Sequence, residues 1–156
     1  MKNTIGYGIN AFLDFDDPVS LLSHLIIGSE GTLAFVASAT FRTVPVSPHV
    51  TTGLAVFRSL QDATQALPAL VATGAATLEL MDSTSIRVGQ TFEGAPPEIT
   101  GFTPDGDAAL LIEYHANDAD ALQDLADAGA RALAEVGLRA PFTSSSDASA
   151  RARAWK

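Results

Sequence analysis

The stretch AALLIEYHANDADALQDLADAGARALAEVG, residues 108–137, combines a strand with a helix and decides the fold class. Its start, from Ala108 to Tyr114, is apolar on both faces, which is typical of a central strand. Asn117 is predicted to cap the following helix, and Gly137 is predicted to end it. Apolar or small residues recur at spacings of three and four, which predicts one core-facing side; they are Leu122, Leu125, Gly129, Leu133 and Val136.

Another strand and helix precede this stretch. Residues 53–57 predict a strand, and Ser59 is predicted to cap a helix that runs to about Ala72. Pro68 falls inside that helix, so we expect a kink or a break there. Further elements are predicted downstream; they are a strand at 77–81, a short helix around Ile86 capped by Asp82 or Ser83, a strand at 138–142 and a final Ala/Arg-rich segment.

The order of these elements gives two β-α-β units. They are joined by a long loop, residues 91–107, which holds three prolines and three glycines. Two such units with right-handed crossovers combine most simply as a four-stranded antiparallel sheet with both helices on one face. The predicted fold is therefore α+β with a ferredoxin-like sheet.

The first 47 residues follow a different pattern. Pro18 comes directly after two aspartates and suits the first position of a helix, predicted over residues 19–27 and ended by Gly28. Residues 33–44 are rich in Val, Phe and Thr and predict one long strand. We therefore expect a helix-strand unit over residues 1–47, separate from the sheet that follows.

Composition excludes several classes of partner and site. Eighteen acidic residues stand against nine basic ones, which gives a net charge of −9 and argues against nucleic acid and anionic membranes as partners. The absence of cysteine excludes disulfides, thiolate metal sites and a Cys nucleophile within these residues. The start of the sequence lacks an apolar signal core, and no window approaches the roughly 18 apolar residues of a membrane span. We expect a cytoplasmic location, either free or peripheral to the inner face of the membrane.

Few polar residues form a chemical motif. Glu79 and Asp82 lie three apart at a strand end, where a solvated edge and a helix cap explain both. Ser29 has no evident base. The three histidines are scattered without a close carboxylate and are interpreted as surface or core-edge residues; they are His24, His49 and His115. No nucleophile, base and orienting residue come together, so neither a catalytic residue nor a metal site is predicted.

Two glycines in IGSEGTLAFV, residues 27–36, flank a serine and a carboxylate just before the predicted strand. One interpretation is a tight turn that needs glycine where φ is positive. The other is close approach of a ligand, because the bare backbone at Gly28 and Gly31 can present N–H groups to a phosphate or an adenine edge. The spacing matches neither a P-loop nor a dinucleotide-binding fingerprint. At this level both interpretations stay open.

Three segments together resemble a known family: KNTIGYGIN at 2–10, LIIGSEGTL at 25–33 and ATFRTVP at 39–45. Their combination resembles the FAD-linked oxidases of the vanillyl-alcohol oxidase type. It resembles in particular the D-lactate, glycolate and D-2-hydroxyglutarate dehydrogenase branch, whose large bacterial members append an iron–sulfur domain. The resemblance implies oxidation of a D-2-hydroxy acid by hydride transfer to flavin.

The resemblance also implies which residues meet the cofactor. In this family the glycine-rich stretch lies near the end of the FAD-binding domain, and its backbone lines the flavin. Residues 1–47 are then the end of that domain, and residues 48–156 are part of the substrate-side cap domain. The family usually has glycine where this chain has alanine at position 34. The implied FAD-contacting segment is Glu30, Gly31, Thr32, Leu33, Ala34, Phe35 and Val36.

The resemblance covers only part of the family's length. We therefore expect a piece of a flavoenzyme that retains no FAD and has no activity alone. In such a piece the strand predicted at 33–44 would lack its neighbours, so we expect it to pair with the cap sheet or with another copy. The alternative from another class is a freestanding ferredoxin-like module that binds a small ligand or dimerises.

Overall fold

The structure is a computed structural model that describes residues 6–155. The chain divides into two compact units, of which one ends at Val44 and the other begins at Pro45. This division lies three residues before the boundary predicted from the sequence. The assignment of the units to an FAD-binding domain and a cap domain stays a prediction.

The first unit contains two short helices. Helix α1 spans Ala11–Asp14 and was not predicted, whereas α2 spans Pro18–Leu25 and confirms the helix predicted over 19–27. The backbone N–H of Ser20 donates to the Asp17 carboxylate at 2.8 Å, which satisfies one of the free donors at the start of α2. Helix α2 thus begins where the aspartate and proline pattern indicates.

The prediction of a strand at 33–44 is wrong, because the structure has no strand in these residues. A strand needs a neighbouring chain to satisfy its N–H and C=O groups, and the first unit contains no second strand among its described residues. Phe35 and Phe41 are 92% and 84% exposed, so no core holds the segment in a sheet. The strand edge that was expected to pair is therefore not formed, and self-association stays a prediction.

The second unit contains a four-stranded antiparallel sheet in the order β2-β3-β1-β4. This order confirms the predicted α+β class and the ferredoxin-like arrangement. The strands are β1 (His49–Phe57), β2 (Thr77–Met81), β3 (Ala108–Ala116) and β4 (Ser144–Ser145). The helices in its described part are α3 (Leu60–Ala72), α4 (Ser83–Gly89), α5 (Ala119–Leu133) and α6 (Ala148–Ala154).

Each face of the sheet buries its own apolar cluster. Side chains alternate along β1 and β3, so Phe57, Leu110 and Tyr114 pack with the crossover helices α3 and α5 on one face. Leu54 and Leu111 point to the other face, where α4 and the loop after it cover them. The prediction that α3 and α5 share one face is confirmed. The second face is partly covered as well.

Local capping residues set most helix starts. The hydroxyl of Ser59 accepts from the backbone N–H of Asp62 at 3.0 Å, as predicted for α3. Pro68 does not break this helix, which continues to Ala72. The predicted cap of α5 is wrong by one residue, because the carboxylate of Asp118 rather than the side chain of Asn117 accepts the bond, from the N–H of Ala121 at 2.8 Å.

The last strand also differs from the prediction at 138–142. Leu138 makes a single bridge to Phe57, and β4 itself consists of Ser144–Ser145 beside β1. Pro141 cannot donate a ladder hydrogen bond. The ring of Phe142 lies against Gly53, so closely that a β-carbon there would clash with it. The chain therefore passes close to Gly53, where Ser144 begins the pairing with β1.

Candidate functional site

The glycine-rich turn of the first unit has an unusual backbone. Gly28, Glu30 and Gly31 all have positive φ angles, of 80°, 51° and 79°. Glu30 is the one non-glycine residue with this conformation among residues 6–155, and such a conformation costs roughly 1–2 kcal/mol for an ordinary residue. These three left-handed residues lie in two consecutive hydrogen-bonded turns after α2, in which Ser29 N–H donates to the Ile26 carbonyl and Thr32 N–H donates to the Ser29 carbonyl.

Ser29 anchors this turn. It is 4% exposed, and its carbonyl accepts from both the backbone N–H of Thr32 at 2.9 Å and the Thr32 hydroxyl at 2.6 Å. Because that hydroxyl proton is already committed, the hydroxyl of Tyr7 is the donor in the 2.9 Å bond between Tyr7 and Thr32. Tyr7 belongs to the KNTIGYGIN segment, of which residues 2–5 lie outside the described part of the chain.

The seven residues implied to meet FAD therefore form one exposed turn and the segment after it. Leu33, Phe35 and Val36 are 45%, 92% and 54% exposed. Apart from its two chain neighbours, no heavy atom of residues 6–155 lies within 4 Å of the place that a β-carbon at Gly31 would occupy. Contact between Glu30, Gly31, Thr32, Leu33, Ala34, Phe35 and Val36 and the cofactor stays a prediction.

The second unit contains a buried carboxylate with several donors. Glu113, on β3, is 5% exposed. One carboxylate oxygen, Oε2, accepts from the Thr52 hydroxyl at 2.5 Å, from the indole N–H of Trp155 at 2.9 Å and from Nη2 of Arg151 at 3.5 Å. The other, Oε1, lies 2.7 Å from Nε2 of His115, which is a donor because an ionised carboxylate only accepts.

The donors decide the charge of this group. Burial of the Glu113 carboxylate raises its pKa, but the hydrogen bonds from His115, Thr52 and Trp155 and the charge of Arg151 lower it to about 2. Glu113 is therefore ionised at neutral pH. Its negative charge is neutralised locally rather than by solvent.

The cluster around Glu113 was not predicted from the sequence. The prediction that His115 has no close carboxylate is wrong, because Glu113 lies two residues earlier on the same strand and faces the same side of the sheet. That spacing, together with a glutamate in an otherwise apolar strand, was the available signal. No sequence pattern indicates that Thr52 and Arg151 lie close to Glu113. Thr52 reaches it through the register of β1 and β3, and Arg151 reaches it because α6 packs against the sheet.

An apolar cavity of about 300 Å³ lies on the same face of the sheet as Glu113. Helix α4, the loop after it and the end of α6 form its walls. Arg153, Thr84 and Ser85 are its polar lining residues. Its apolar lining includes Leu54, Met81, Val88, Phe92, Ile99 and Ala154.

The other candidate residues have structural roles. The Asp82 carboxylate caps α4 by accepting from the N–H of Ser85 at 2.7 Å, and Glu79 is exposed on β2. The predicted helix cap and solvated edge are therefore confirmed. His24 is exposed, stacks on Phe15, and its Nδ1 lies 2.7 Å from the carbonyl oxygen of Ser20.

Residues 6–155 contain no group of three or more His, Cys, Asp or Glu that could hold a metal ion. None of the helices described is long and apolar enough to cross a membrane.

Comparisons with known proteins add to this geometry. Residues 46–156 match the sequence family described as FAD linked oxidases, C-terminal domain. The glycolate oxidase subunit GlcD of Escherichia coli K12 is 33% identical over 111 residues, which cover 70% of this chain and 21% of that protein. The D-lactate dehydrogenase of Anaerostipes hadrus is 28% identical over 121 residues, 74% of this chain and 25% of that enzyme. An uncharacterized FAD-linked oxidoreductase of Mycobacterium tuberculosis is 35% identical over 123 residues, 74% and 26% of the two chains. The chain thus spans about a fifth to a quarter of the length of these curated relatives.

Proposed function

Because this chain belongs to the FAD-linked oxidase family, we propose that it contributes the substrate-side cap of an FAD-dependent oxidoreductase. The proposed substrate is a D-2-hydroxy acid of the lactate, glycolate or 2-hydroxyglutarate class. The match of residues 46–156 to the family's C-terminal domain carries the proposal, and that match begins one residue after the second unit does. Two relatives support the substrate class, since their names specify glycolate and D-lactate.

The turn in the first unit fits a cofactor contact. Glu30 and Gly31 have positive φ angles and are exposed, and the described residues leave the space beside Gly31 open. The exposed side chains of Leu33, Phe35 and Val36 offer an apolar surface next to that backbone. Residues 30–36 would therefore hold part of FAD, which when bound supplies the hydride acceptor for the oxidation.

The second unit supports a cap role through its own side chains. Its sheet buries one ionised carboxylate, Glu113, and presents an apolar cavity on the same face. An apolar lining excludes water from a reacting centre, and low water content strengthens polar interactions near it. No described residue is assigned as the catalytic base, and the 156-residue chain alone is not expected to oxidise substrate.

The test of this function uses the polypeptide expressed from the complete gene that contains this sequence. Its visible absorbance spectrum is recorded without oxygen before and after addition of D- and L-2-hydroxy acids. We expect a flavin spectrum that is bleached by a D-acid, with the L-enantiomers as the matched controls. A colourless protein that cannot be loaded with FAD would contradict the proposal and favour the freestanding binding module.

The FAD contact has a separate test with two matched glycines. Gly31 and Gly106 have φ angles of 79° and 77°. In the described part of the chain, neither has a heavy atom within 4 Å of the added β-carbon apart from its chain neighbours. Alanine at either position costs roughly 1–2 kcal/mol of backbone strain. In the same polypeptide we expect Gly31→Ala to lower the flavin content per chain and Gly106→Ala to leave it unchanged. Equal flavin content in both variants would rule out the contact at Gly31.

A further inference from the structure

Glu113 joins parts of the second unit that are distant in sequence. Thr52 lies on β1, Arg151 lies within α6, and Trp155 follows α6 directly. These partners are 61, 38 and 42 residues away from Glu113 along the chain. One buried carboxylate therefore accepts from two strands and from the end of a helix.

Helix α6 buries little apolar surface against the sheet. The helix has seven residues, and none of them is buried. Helices this short are unstable without tertiary contacts. Ala154 packs against the apolar cluster on this face of the sheet, but its methyl group offers little area. The polar contacts of this segment with the strands include the hydrogen bonds that Arg151 and Trp155 donate to Glu113. Arg151 also donates through Nε to the Thr52 hydroxyl at 3.2 Å, and that hydroxyl itself donates to Glu113.

The position of α6 affects two cavities. Arg153 and Ala154 line both the apolar cavity of about 300 Å³ and a smaller one of about 120 Å³ beside Gly53 and β4. A displacement of α6 would therefore change the walls of both. Any residue that fixes α6 also fixes the shape of this side of the sheet.

We propose that Glu113 is a positioning residue that docks α6 and the indole of Trp155 on the sheet and thereby sets the shape of the adjacent cavity. The docking itself is independent of the oxidoreductase activity. Its consequence for substrate binding rests on the proposed function. The two parts are therefore tested by different measurements.

Trp155 provides a direct reporter, because it is the single tryptophan of the chain. The test measures its emission wavelength and its quenching by acrylamide in the 156-residue chain. Glu113→Gln keeps the side-chain shape but replaces one acceptor oxygen by a donor, which opposes the donors around it. Since the docked Trp155 is 48% exposed, its full release should raise the quenching constant by about twofold and shift emission to longer wavelength.

Two further variants define the control. Glu79→Gln removes the same charge from an exposed position on the neighbouring strand and should leave the quenching constant unchanged. Thr52→Val removes one donor to Glu113 and one acceptor for Arg151. It leaves the carboxylate that accepts from both Arg151 and Trp155, so its effect should be smaller than that of Glu113→Gln. Circular dichroism establishes that each variant retains its secondary structure.

Wild-type quenching in a folded Glu113→Gln variant would overturn the docking role. If that variant does not fold, Arg151→Gln is measured instead, with increased quenching expected and wild-type quenching again overturning the proposal. In the flavin-containing polypeptide, Glu113→Gln should raise KM for the hydroxy acid more than it lowers kcat. If quenching increases but KM is unchanged, the docking role stands and only the effect on the cavity is overturned. If the wild-type polypeptide shows no flavin reduction by any hydroxy acid, the result counts against the proposed function instead.

Discussion

The hydroxyl of Tyr114 lies where a β-carbon would project from Gly129, so that β3 and α5 approach each other through a glycine. Tyr114 is fully buried. Its hydroxyl lies 2.7 Å from the hydroxyl of Thr73, which itself donates to the carbonyl of Leu70, so Tyr114 is the donor to Thr73. A single tyrosine therefore connects the central strand to the end of α3 and fixes the distance to α5.

This contact predicts that Gly129→Ala destabilises the second unit. Alanine is the better helix former by about 1 kcal/mol, but overpacking of a filled core costs roughly 1–3 kcal/mol. We expect the steric cost to exceed the gain, because Tyr114 cannot move without breaking its bond to Thr73. Urea denaturation measures the difference. Gly137→Ala is the control, since its added β-carbon has no described heavy atom within 4 Å other than those of its chain neighbours. Its stability should stay within about 0.5 kcal/mol of wild type. A Gly129→Ala protein as stable as wild type would contradict the packing argument.

The start of α5 gives a second prediction, which separates two adjacent polar residues. Asp118→Ala should lower the free energy of unfolding by about 1 kcal/mol, because its carboxylate accepts from the N–H of Ala121. Asn117→Ala removes a side chain that does not cap the helix and should change stability by less than about 0.5 kcal/mol. Thermal unfolding followed by circular dichroism compares the two. The reverse order would mean that Asn117 is the cap.

Patterns that depend on neighbouring residues were predicted well. The helix starts at Ser59 and Pro18 follow from capping and proline chemistry within a few residues, and both are observed. The end predicted for α5 at Gly137 is wrong, because the helix ends at Leu133 and Val136 lies beyond it. Strand β2 and the stripe of α5 from Leu122 to Leu133 do follow from local periodicity. In each case the physical cause lies within one or two turns of the chain, so the sequence contains it directly.

Features that depend on distant partners were not predicted. Residues 33–44 have strand propensity, but propensity cannot supply the neighbour that a strand requires. The last strand is predicted at 138–142 but pairs only at Ser144–Ser145. The close approach of Phe142 to Gly53 accompanies this shift, and neither residue alone indicates it. Most of the Glu113 cluster has the same origin, since its donors Thr52, Arg151 and Trp155 lie 38 to 61 residues away.

A third prediction concerns the ion pair of Asp107 and Arg139. Nε and Nη2 of Arg139 contact the two carboxylate oxygens at 2.5 and 3.1 Å, while Asp107 is 2% exposed and also accepts from the N–H of Asp105. Side-chain hydrogen bonding from Arg139 holds the pKa of Asp107 below its ordinary value. Arg139→Met would leave a buried carboxylate without its cation, which is strongly unfavourable.

The sign of a second substitution tests this interpretation. Asp107→Asn should destabilise the wild-type protein, because it weakens the pair with Arg139. The same change should stabilise the Arg139→Met protein, because it removes the uncompensated buried charge. Urea denaturation of the two single variants and the double variant gives the comparison. If Asp107→Asn is destabilising in both backgrounds, charge compensation is not the role of Arg139.

The fourth prediction is a pH dependence of stability that originates at Glu113. The pKa of Glu113 falls from an ordinary value of 4.5 to about 2 in the folded protein, so its ionised form is favoured by folding. The resulting stability is fully present above pH 4.5 and is lost as the pH falls toward 2. The shift corresponds to roughly 3 kcal/mol at most, and solvent screening at the partly exposed His115 and Arg151 reduces it.

Comparison with Glu113→Gln isolates this contribution from the other carboxylates. The variant cannot ionise at position 113, so its free energy of unfolding should fall less steeply than that of wild type between pH 4.5 and 2. The two stability curves should therefore differ most at neutral pH and converge in acid. Glu79→Gln serves as the control, because Glu79 is exposed and its removal should leave the slope unchanged. Parallel curves for wild type and Glu113→Gln would mean that the donors around Glu113 do not favour its charged form, since a carboxylate with the same pKa in both states contributes no pH dependence to folding.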